Sequence, residues 1–278
     1  MPDLFPASPA PDPDTVYYVE PDELDPGQRW STWDDIGVLA GPEPWPDWLV
    51  TSDAAVDTEL GILKTGKEAD VFLLERADAE AGVVLAAKRY RGLDHRLFSR
   101  DAGYTEGRRL RNSRDRRAAA KGSRHGRSVE AGQWAAAEFD CLSRFWSAGL
   151  PVPYPVQLDG TELLMELITL EDGSGAPRLA STRPPRPLLE SYWAQLTEAM
   201  RGMAGMGLAH GDLSPFNLLA TGDRLVLIDL PQAVDVVANP QGMEYLARDC
   251  RNVATWFRAR GLDVDADELL ADLVSYAL

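Results

Sequence analysis

The chain has 278 residues, of which 45% are hydrophobic and 26% charged, and a formal net charge of −16, which describes a globular protein with one medium-sized core or two small ones. Its longest apolar runs, such as Leu163–Met165 and Leu225–Ile228, fall far short of the ~20 residues that cross a bilayer, and the amino terminus is acidic, so neither a membrane span nor a secretory signal is expected. Two cysteines, Cys141 and Cys250, without paired spacing, argue against a disulfide framework or metal site and for a reducing, cytoplasmic setting.

The charge is unevenly spread. Residues 88–127 hold 14 Lys and Arg against four acids, about +10, which leaves the remainder near −26. Attraction to nucleic acid is therefore local to that segment and not a property of the whole molecule.

Residues 1–50 contain ten of the 20 prolines, eleven acids and a single base, Arg29, a composition that does not offset the entropy of folding by itself. A largely disordered tail over 1–52 is expected, with Trp30, Trp33, Trp45 and Trp48 as aromatic anchors that dock on the domain or on a partner. From Leu60 the pattern turns to β. Residues 69–74 and 83–88 read as paired strands, with a glycine turn at Gly66 before the first. The basic stretch 91–128 lacks sustained apolar periodicity and reads as a mobile insertion. A helix is expected over 129–148, stopped by Gly149 and Pro151, followed by a strand over 163–168 and a long helix over 188–206. A strand over 225–228 comes next, then a helix opened by Asn239 as cap and Pro240 in its first turn, running to about Arg260, and a last helix over 266–277.

The most informative segment is His210-Gly211-Asp212-Leu213-Ser214-Pro215-Phe216-Asn217, followed twelve residues later by Asp229 at the end of an apolar strand. Phosphoryl transfer needs a carboxylate to orient or deprotonate the attacking group, and amide and carboxylate oxygens to hold Mg2+ on the phosphates of ATP. Asp212, Asn217 and Asp229 supply these in turn. Upstream, Lys88 ends the strand Val84-Leu85-Ala86-Ala87-Lys88 where an ammonium reaches phosphate oxygens, and Glu138 in the following helix is its expected ion-pair partner. Gly61-Ile62-Leu63-Lys64-Thr65-Gly66-Lys67-Glu68 nearly spells a P-loop, but Glu68 stands where a Ser or Thr is needed and strand follows instead of helix. A phosphate-covering hairpin with Thr65, Gly66 and Lys67 at its turn fits better.

Together, Thr65-Gly66-Lys67-Glu68-Ala69, Lys88, the segment His210–Asn217 and Ile228-Asp229-Leu230-Pro231-Gln232 resemble the RIO family of atypical protein kinases over about residues 55–260. The basic insertion resembles the flexible loop of the type-one branch, and Lys64-Thr65-Gly66-Lys67-Glu68-Ala69 leans the same way. Leu230-Pro231-Gln232 is closer to the type-two branch, but without an amino-terminal winged-helix pattern of the type-two kind the chain resembles the type-one branch. The resemblance implies an α+β, two-lobed protein-kinase-like fold, with an N-lobe over 53–168 and a C-lobe over 169–278. The 49 residues after Asp229 imply a shortened C-lobe. It further implies Asp212 as catalytic aspartate, Asn217 and Asp229 as magnesium ligands, Lys88 on the phosphates, and backbone groups of Glu166 and Ile168 in a hinge that contacts adenine. Members of the family act in ribosome maturation and pass the γ-phosphate to the metal-loop aspartate, here Asp229. The basic insertion would then meet ribosomal RNA or a pre-ribosomal particle. Two rival readings stay open: a small-molecule phosphotransferase of the aminoglycoside or choline kinase type, and a nucleotide-gated module that binds ribosomal particles.

Overall fold

The computed structural model describes residues 24–35, 37–91, 124–230 and 233–277, with the backbone alone for 124–129. Most of the basic insertion, together with Pro231 and Gln232, lies outside the described residues. Seven strands form one antiparallel sheet: β1 (Gln28–Trp30), β2 (Leu39–Ala40), β3 (Val56–Thr65), β4 (Ala69–Ala77), β5 (Gly82–Tyr90), β6 (Pro155–Asp159) and β7 (Glu162–Glu166), in the order β1-β3-β4-β5-β7-β6-β2. Helix α1 (Arg124–Ser147) precedes β6, and its last turn gives way to Gly149 at φ +76°, a left-handed conformation that glycine adopts freely.

The remaining elements are helical with short ribbons. Helix α2 (Arg186–Gly205) leads to β8 (Leu208–Ala209), then β9 (Leu218–Thr221) and β10 (Arg224–Leu227) form one two-stranded ribbon, and β11 (Val234–Asp235) pairs back on β8. Helices α3 (Gly242–Arg258) and α4 (Ala266–Ala277) complete the described chain. This is the expected α+β arrangement, a β-rich lobe followed by a helical one. Among the described residues no helix is long and apolar enough to cross a membrane.

The pleat sorts the sheet into two faces. Alternation along β5 puts Leu85 and Ala87 on one face and Ala86, Lys88 and Tyr90 on the other. Leu85 and Ala87 join Leu74, Leu164, Val156, Tyr154 and Trp33 in a small core of their own. Tyr90 and Leu163 belong instead to the large core, which runs through Phe139, Leu142 and Phe145 of α1 into α2, α3 and α4. Lys88 is thereby aimed at the side where the two lobes meet.

Residues 24–52, assigned by composition to a tail, are built into this lobe. β1 pairs with β3, β2 pairs with β6, and Trp33 is buried against Tyr154 and Leu164. The physical reason lies in their partners. Arg76, fully buried, donates to both oxygens of Asp57 at 2.7 and 2.9 Å and to Gln157 Oε1 at 2.7 Å, and Gln157 Nε2 donates to Thr32 Oγ1 at 2.8 Å. Arg29 completes the set by pairing with Glu162 and Asp57. Buried polar groups are costly to leave unpaired, and the amino-terminal strap supplies two partners of this network, Thr32 and Arg29.

Helix starts differ from expectation at three places, the first being α2, which opens at Arg186 and not at 188. α1 begins five residues earlier, and α3 begins at Gly242, so that Asn239 and Pro240 lie in the turn before it. Asn239 Oδ1 accepts from the Gln241 N–H at 2.9 Å, which closes that turn and does not cap the helix.

Candidate active site

The turn between β3 and β4 is the expected hairpin. The Gly66 N–H donates to Ala69 O at 3.0 Å, and a Cβ on Gly66 would stand 2.8 Å from that same oxygen, so only glycine fits. Arg91, just past β5, holds the turn from outside: its guanidinium donates to Gly66 O and Asp70 Oδ1, both at 2.6 Å, and its N–H to Glu68 O at 2.9 Å. Strand β4 follows and not a helix, as the pattern Val71-Phe72-Leu73 foretold.

Beneath the hairpin lies a cavity of about 560 Å³. Leu63, Val71 and Ala86 form its roof, Met165 to Ile168 one wall, and Leu219, Ile228 and Asp229 its floor. Gly66, Lys67, Glu68, Lys88 and Glu138 also line it, whereas Thr65 does not. On the wall the Glu166 N–H donates to Tyr154 O at 2.8 Å, and its carboxylate accepts from the Tyr154 N–H at 3.0 Å. The Ile168 carbonyl accepts from Ala176 N–H at 2.9 Å, and among the described residues no partner takes the Ile168 N–H.

Lys88 joins the lobes electrostatically. Its ammonium is 2.7 Å from Glu138 Oε1 and 3.1 Å from Asp229 Oδ1. Burial alone would lower its pKa, but these two carboxylates more than offset that and hold it above the ordinary lysine value. Glu138, almost fully buried on α1, takes a second hydrogen bond from the Tyr90 hydroxyl, whose own pKa is pushed up by burial and by that carboxylate. Tyr90 therefore stays protonated and donates.

The loop that carries Asp212 is fixed from below by α3. The Asp249 carboxylate, buried, accepts from the N–H groups of Gly211 and Leu213, both at 2.8 Å. Asn252 Nδ2 donates to Leu213 O at 3.0 Å, and Arg248 donates to Gly211 O. Asn217 Nδ2 donates to Asp212 O at 2.9 Å, which orients its amide, and the Asn217 carbonyl accepts from Ile228 N–H at 3.0 Å. His210, fully buried, lies with Nε2 3.1 Å from Ile228 O. Two segments distant in sequence are thus tied at adjacent peptides, and the next residue, Asp229, adopts φ +68°, the one non-glycine with positive φ among the described residues. Such strain persists only where the surroundings over-determine it, and it collects at functional sites.

The two aspartates have diverging acidities. Burial pushes Asp212 above the ordinary aspartate value. Burial acts the same way on Asp229, but Lys88 outweighs it and holds that carboxyl below. One carboxylate suited to take a proton thus stands near one that stays ionised, a division typical of acid–base sites. Asp212 and Asn217 do not line the cavity themselves; they border Asp229 at its floor.

Among the described residues no group of three His, Cys, Asp or Glu side chains forms a ready-made metal site. Asp229 and Asn217 offer two hard oxygen ligands, and magnesium is commonly held by one or two such groups with substrate phosphates and water completing the shell. The donor set fits that ion.

Tyr90, Asp249, Asn252 and Arg248 escaped the reading of the sequence. Asp249 leaves one trace: it falls on the apolar stripe Tyr245, Leu246, Cys250, Val253, Phe257 of α3, where an acid needs a buried partner.

A sequence profile of the RIO domain matches residues 83–269. The RIO-type serine/threonine-protein kinase Rio1 of Haloferax volcanii is 39% identical over 222 residues, which cover 80% of this chain and 71% of that protein. The serine/threonine-protein kinase RIO1 of Caenorhabditis elegans is 36% identical over 132 residues, 47% of this chain, and that of Saccharomyces cerevisiae 27% identical over 248 residues, 81% of this chain. The matches span only 26% and 49% of those two relatives. With a matching profile over more than half its length and the haloarchaeal relative aligned across most of both chains, this chain belongs to the RIO-domain family of serine/threonine-protein kinases, a family of phosphotransferases.

Proposed function

We propose that the chain transfers the γ-phosphate of ATP in the presence of Mg2+, with Lys88, Asp212, Asn217 and Asp229 as its working groups. The observation that carries this reading is the Lys88–Glu138 pair at 2.7 Å, with Lys88 also 3.1 Å from Asp229, inside a cavity whose wall runs from Met165 to Ile168 and has, among the described residues, an unpartnered N–H at Ile168 for a base. Protein kinases use ATP and a divalent metal, which supplies charge neutralisation on the phosphates. Glu138 holds Lys88 so that its ammonium meets phosphate oxygens, and Asp229 and Asn217 offer oxygens to the metal. Gly66 and Lys67 cover the phosphates, with Thr65 beside them. Asp212, with its raised pKa, orients the attacking group and accepts its proton.

The same geometry supports a covalent route. A carboxylate oxygen of Asp229 bonds to the γ-phosphorus, the bond from that phosphorus to the β,γ-bridging oxygen breaks, and ADP departs. Water activated by Asp212 then cleaves the acyl phosphate to inorganic phosphate and restores the carboxylate. A physiological role in ribosome maturation, with the basic insertion on ribosomal RNA, rests on the +10 charge of residues 88–127. Steady-state ATP hydrolysis and phosphorylation of a generic basic protein, compared between the wild type and Asp212→Asn, test the reading. Turnover in the wild type that falls at least roughly a hundredfold in the variant is expected. Equal turnover in both contradicts it.

A further inference from the structure

Besides Lys67 and Lys88, two further cations line the cavity. Lys64, near the end of β3, and Arg178, which precedes the short helical turn Leu179–Ser181, both line the cavity. The backbone of Arg178 is held on every side. It forms an antiparallel bridge with Leu219 on the floor, its neighbour Pro177 accepts from Ala220 N–H at 2.9 Å, and its own carbonyl accepts from Ser181 N–H and Oγ at 2.9 and 2.8 Å. Leu179, the next residue, is fully buried. The hydrogen bond from Ala176 N–H to Ile168 O, 2.9 Å long, returns the chain beside the wall that follows β7. A long cationic side chain is thus mounted on a rigid base with its head at the cavity.

That head is unpaired. Arg29, Arg76, Arg89 and Arg91 each meet an acid, yet among the described residues no carboxylate forms an ion pair with Arg178 or with Lys64. The two cations also sense each other. Burial lowers the pKa of Lys64, the charge of Arg178 lowers it further, Asp229 acts to raise it, and Lys88 adds to the lowering. Lys64 therefore lies within electrostatic reach of Lys88 and Asp229 as well as of Arg178. Two neighbouring cations that no carboxylate pairs directly repel each other, and a bound polyanion relieves that repulsion.

We propose that Arg178 and Lys64 form a second cationic arm of the site, additional to Lys88, that grips the phosphate chain of the nucleotide. This rests on the ATP reading above and deepens it by naming groups that tell a nucleotide from its nucleoside. The guanidinium fork suits two oxygens of one phosphate, and the Lys64 ammonium serves as a point charge beside it. Because the backbone under Arg178 is already fixed, little order has to be imposed on binding.

The test measures dissociation constants for ATP, ADP, AMP and adenosine with Mg2+ by competition against a fluorescent adenine nucleotide, for the wild type, Arg178→Ala, Arg178→Lys, Lys64→Ala and Lys88→Ala. Arg178→Ala and Lys64→Ala are each expected to weaken ATP by roughly tenfold while changing adenosine by less than about twofold, with Arg178→Lys in between. Unchanged adenosine affinity also reports an intact cavity. If Arg178→Ala fails to fold, Lys64→Ala on the exposed rim decides the matter by itself. ATP affinity unaltered in Arg178→Ala and Lys64→Ala, or ATP and adenosine weakened equally, overturns the proposal. A wild type that binds ATP and loses it in Lys88→Ala, but not in Arg178→Ala or Lys64→Ala, overturns this inference and leaves the ATP reading standing. A wild type that binds neither ATP nor adenosine overturns both.

Discussion

Lys88 and Asp229 stand 3.1 Å apart, the cation expected on phosphates and the carboxylate expected on the metal neutralising each other. Productive binding has to exchange this contact for ligand contacts while Glu138 keeps its hold on the ammonium. Lys88→Ala should therefore lower kcat/KM for ATP by roughly tenfold or more, and it should also lower the melting temperature because buried Glu138 loses its cation. Lys88→Arg should not restore it, since a planar fork does not replace a point charge. Turnover assays on folded variants check both, and wild-type rates in Lys88→Ala would remove Lys88 from the site.

Asp249 is predicted to act on activity without touching substrate. Its carboxylate satisfies two buried N–H groups of the loop that presents Asp212. Asp249→Ala should cost about 1–3 kcal/mol for each N–H left without a partner and should lower turnover even well below the melting temperature. Asp249→Asn keeps one acceptor oxygen and should fall between. Chemical denaturation and rate measurements on the same samples separate the two effects.

Part of this site was legible in the sequence and part was not. Lys88, Asp212, Asn217 and Asp229 could be named because strand ends and short loops place such side chains by local geometry and their types leave few other uses, and Glu138, inside α1, followed as the acid that Lys88 needs. Asp249, Asn252 and Tyr90 act on backbone or side chains far along the chain, Asp249 on Gly211 across 38 residues, so no local pattern encodes the contact. The amino-terminal strap was obscured for a related reason. Proline and acid content describe what residues 24–52 cannot do alone, whereas their order comes from Arg76, Gln157 and Tyr154 elsewhere in the chain.

The strap gives a stability prediction. Trp33→Ala should destabilise the protein by about 3–5 kcal/mol, the range for emptying a buried aromatic site, and removal of residues 1–52 should lower the melting temperature further. A deletion that melts like the full chain would mean the strap contributes nothing to stability.

Acid should loosen the same region. Burial raises the pKa of Glu162, but hydrogen bonds and charge from Arg29 and Arg89 outweigh it and leave the carboxyl below its ordinary value of 4.5. A carboxyl depressed in the folded state contributes stability that is complete above the unfolded value and is lost as pH falls through the folded one. Thermal melts should thus drop below pH 4.5, and Glu162→Gln should flatten that part of the curve. An identical acid response in the variant would assign the effect to other groups.

Met165 offers a check on the base-binding wall. It lines the cavity from β7, and a larger side chain there fills space that adenine needs. Met165→Phe should weaken ATP and adenosine alike, the opposite selectivity to that expected for Arg178→Ala. Unchanged affinity for both ligands would move the base elsewhere in the cavity.

The most direct test of the central claim follows the γ-phosphate itself. Purified protein is incubated with γ-labelled ATP and Mg2+, quenched, and examined for label in free phosphate and on protein, before and after hydroxylamine, alongside Asp212→Asn and Asp229→Asn. The account predicts ATP consumption by the wild type, protein-bound label that hydroxylamine removes, and neither in Asp229→Asn. Asp212→Asn should release free phosphate far more slowly than the wild type. Full ATP consumption in both variants would contradict the assignment of these aspartates, and hydroxylamine-resistant label retained in Asp229→Asn would eliminate the phosphoaspartate.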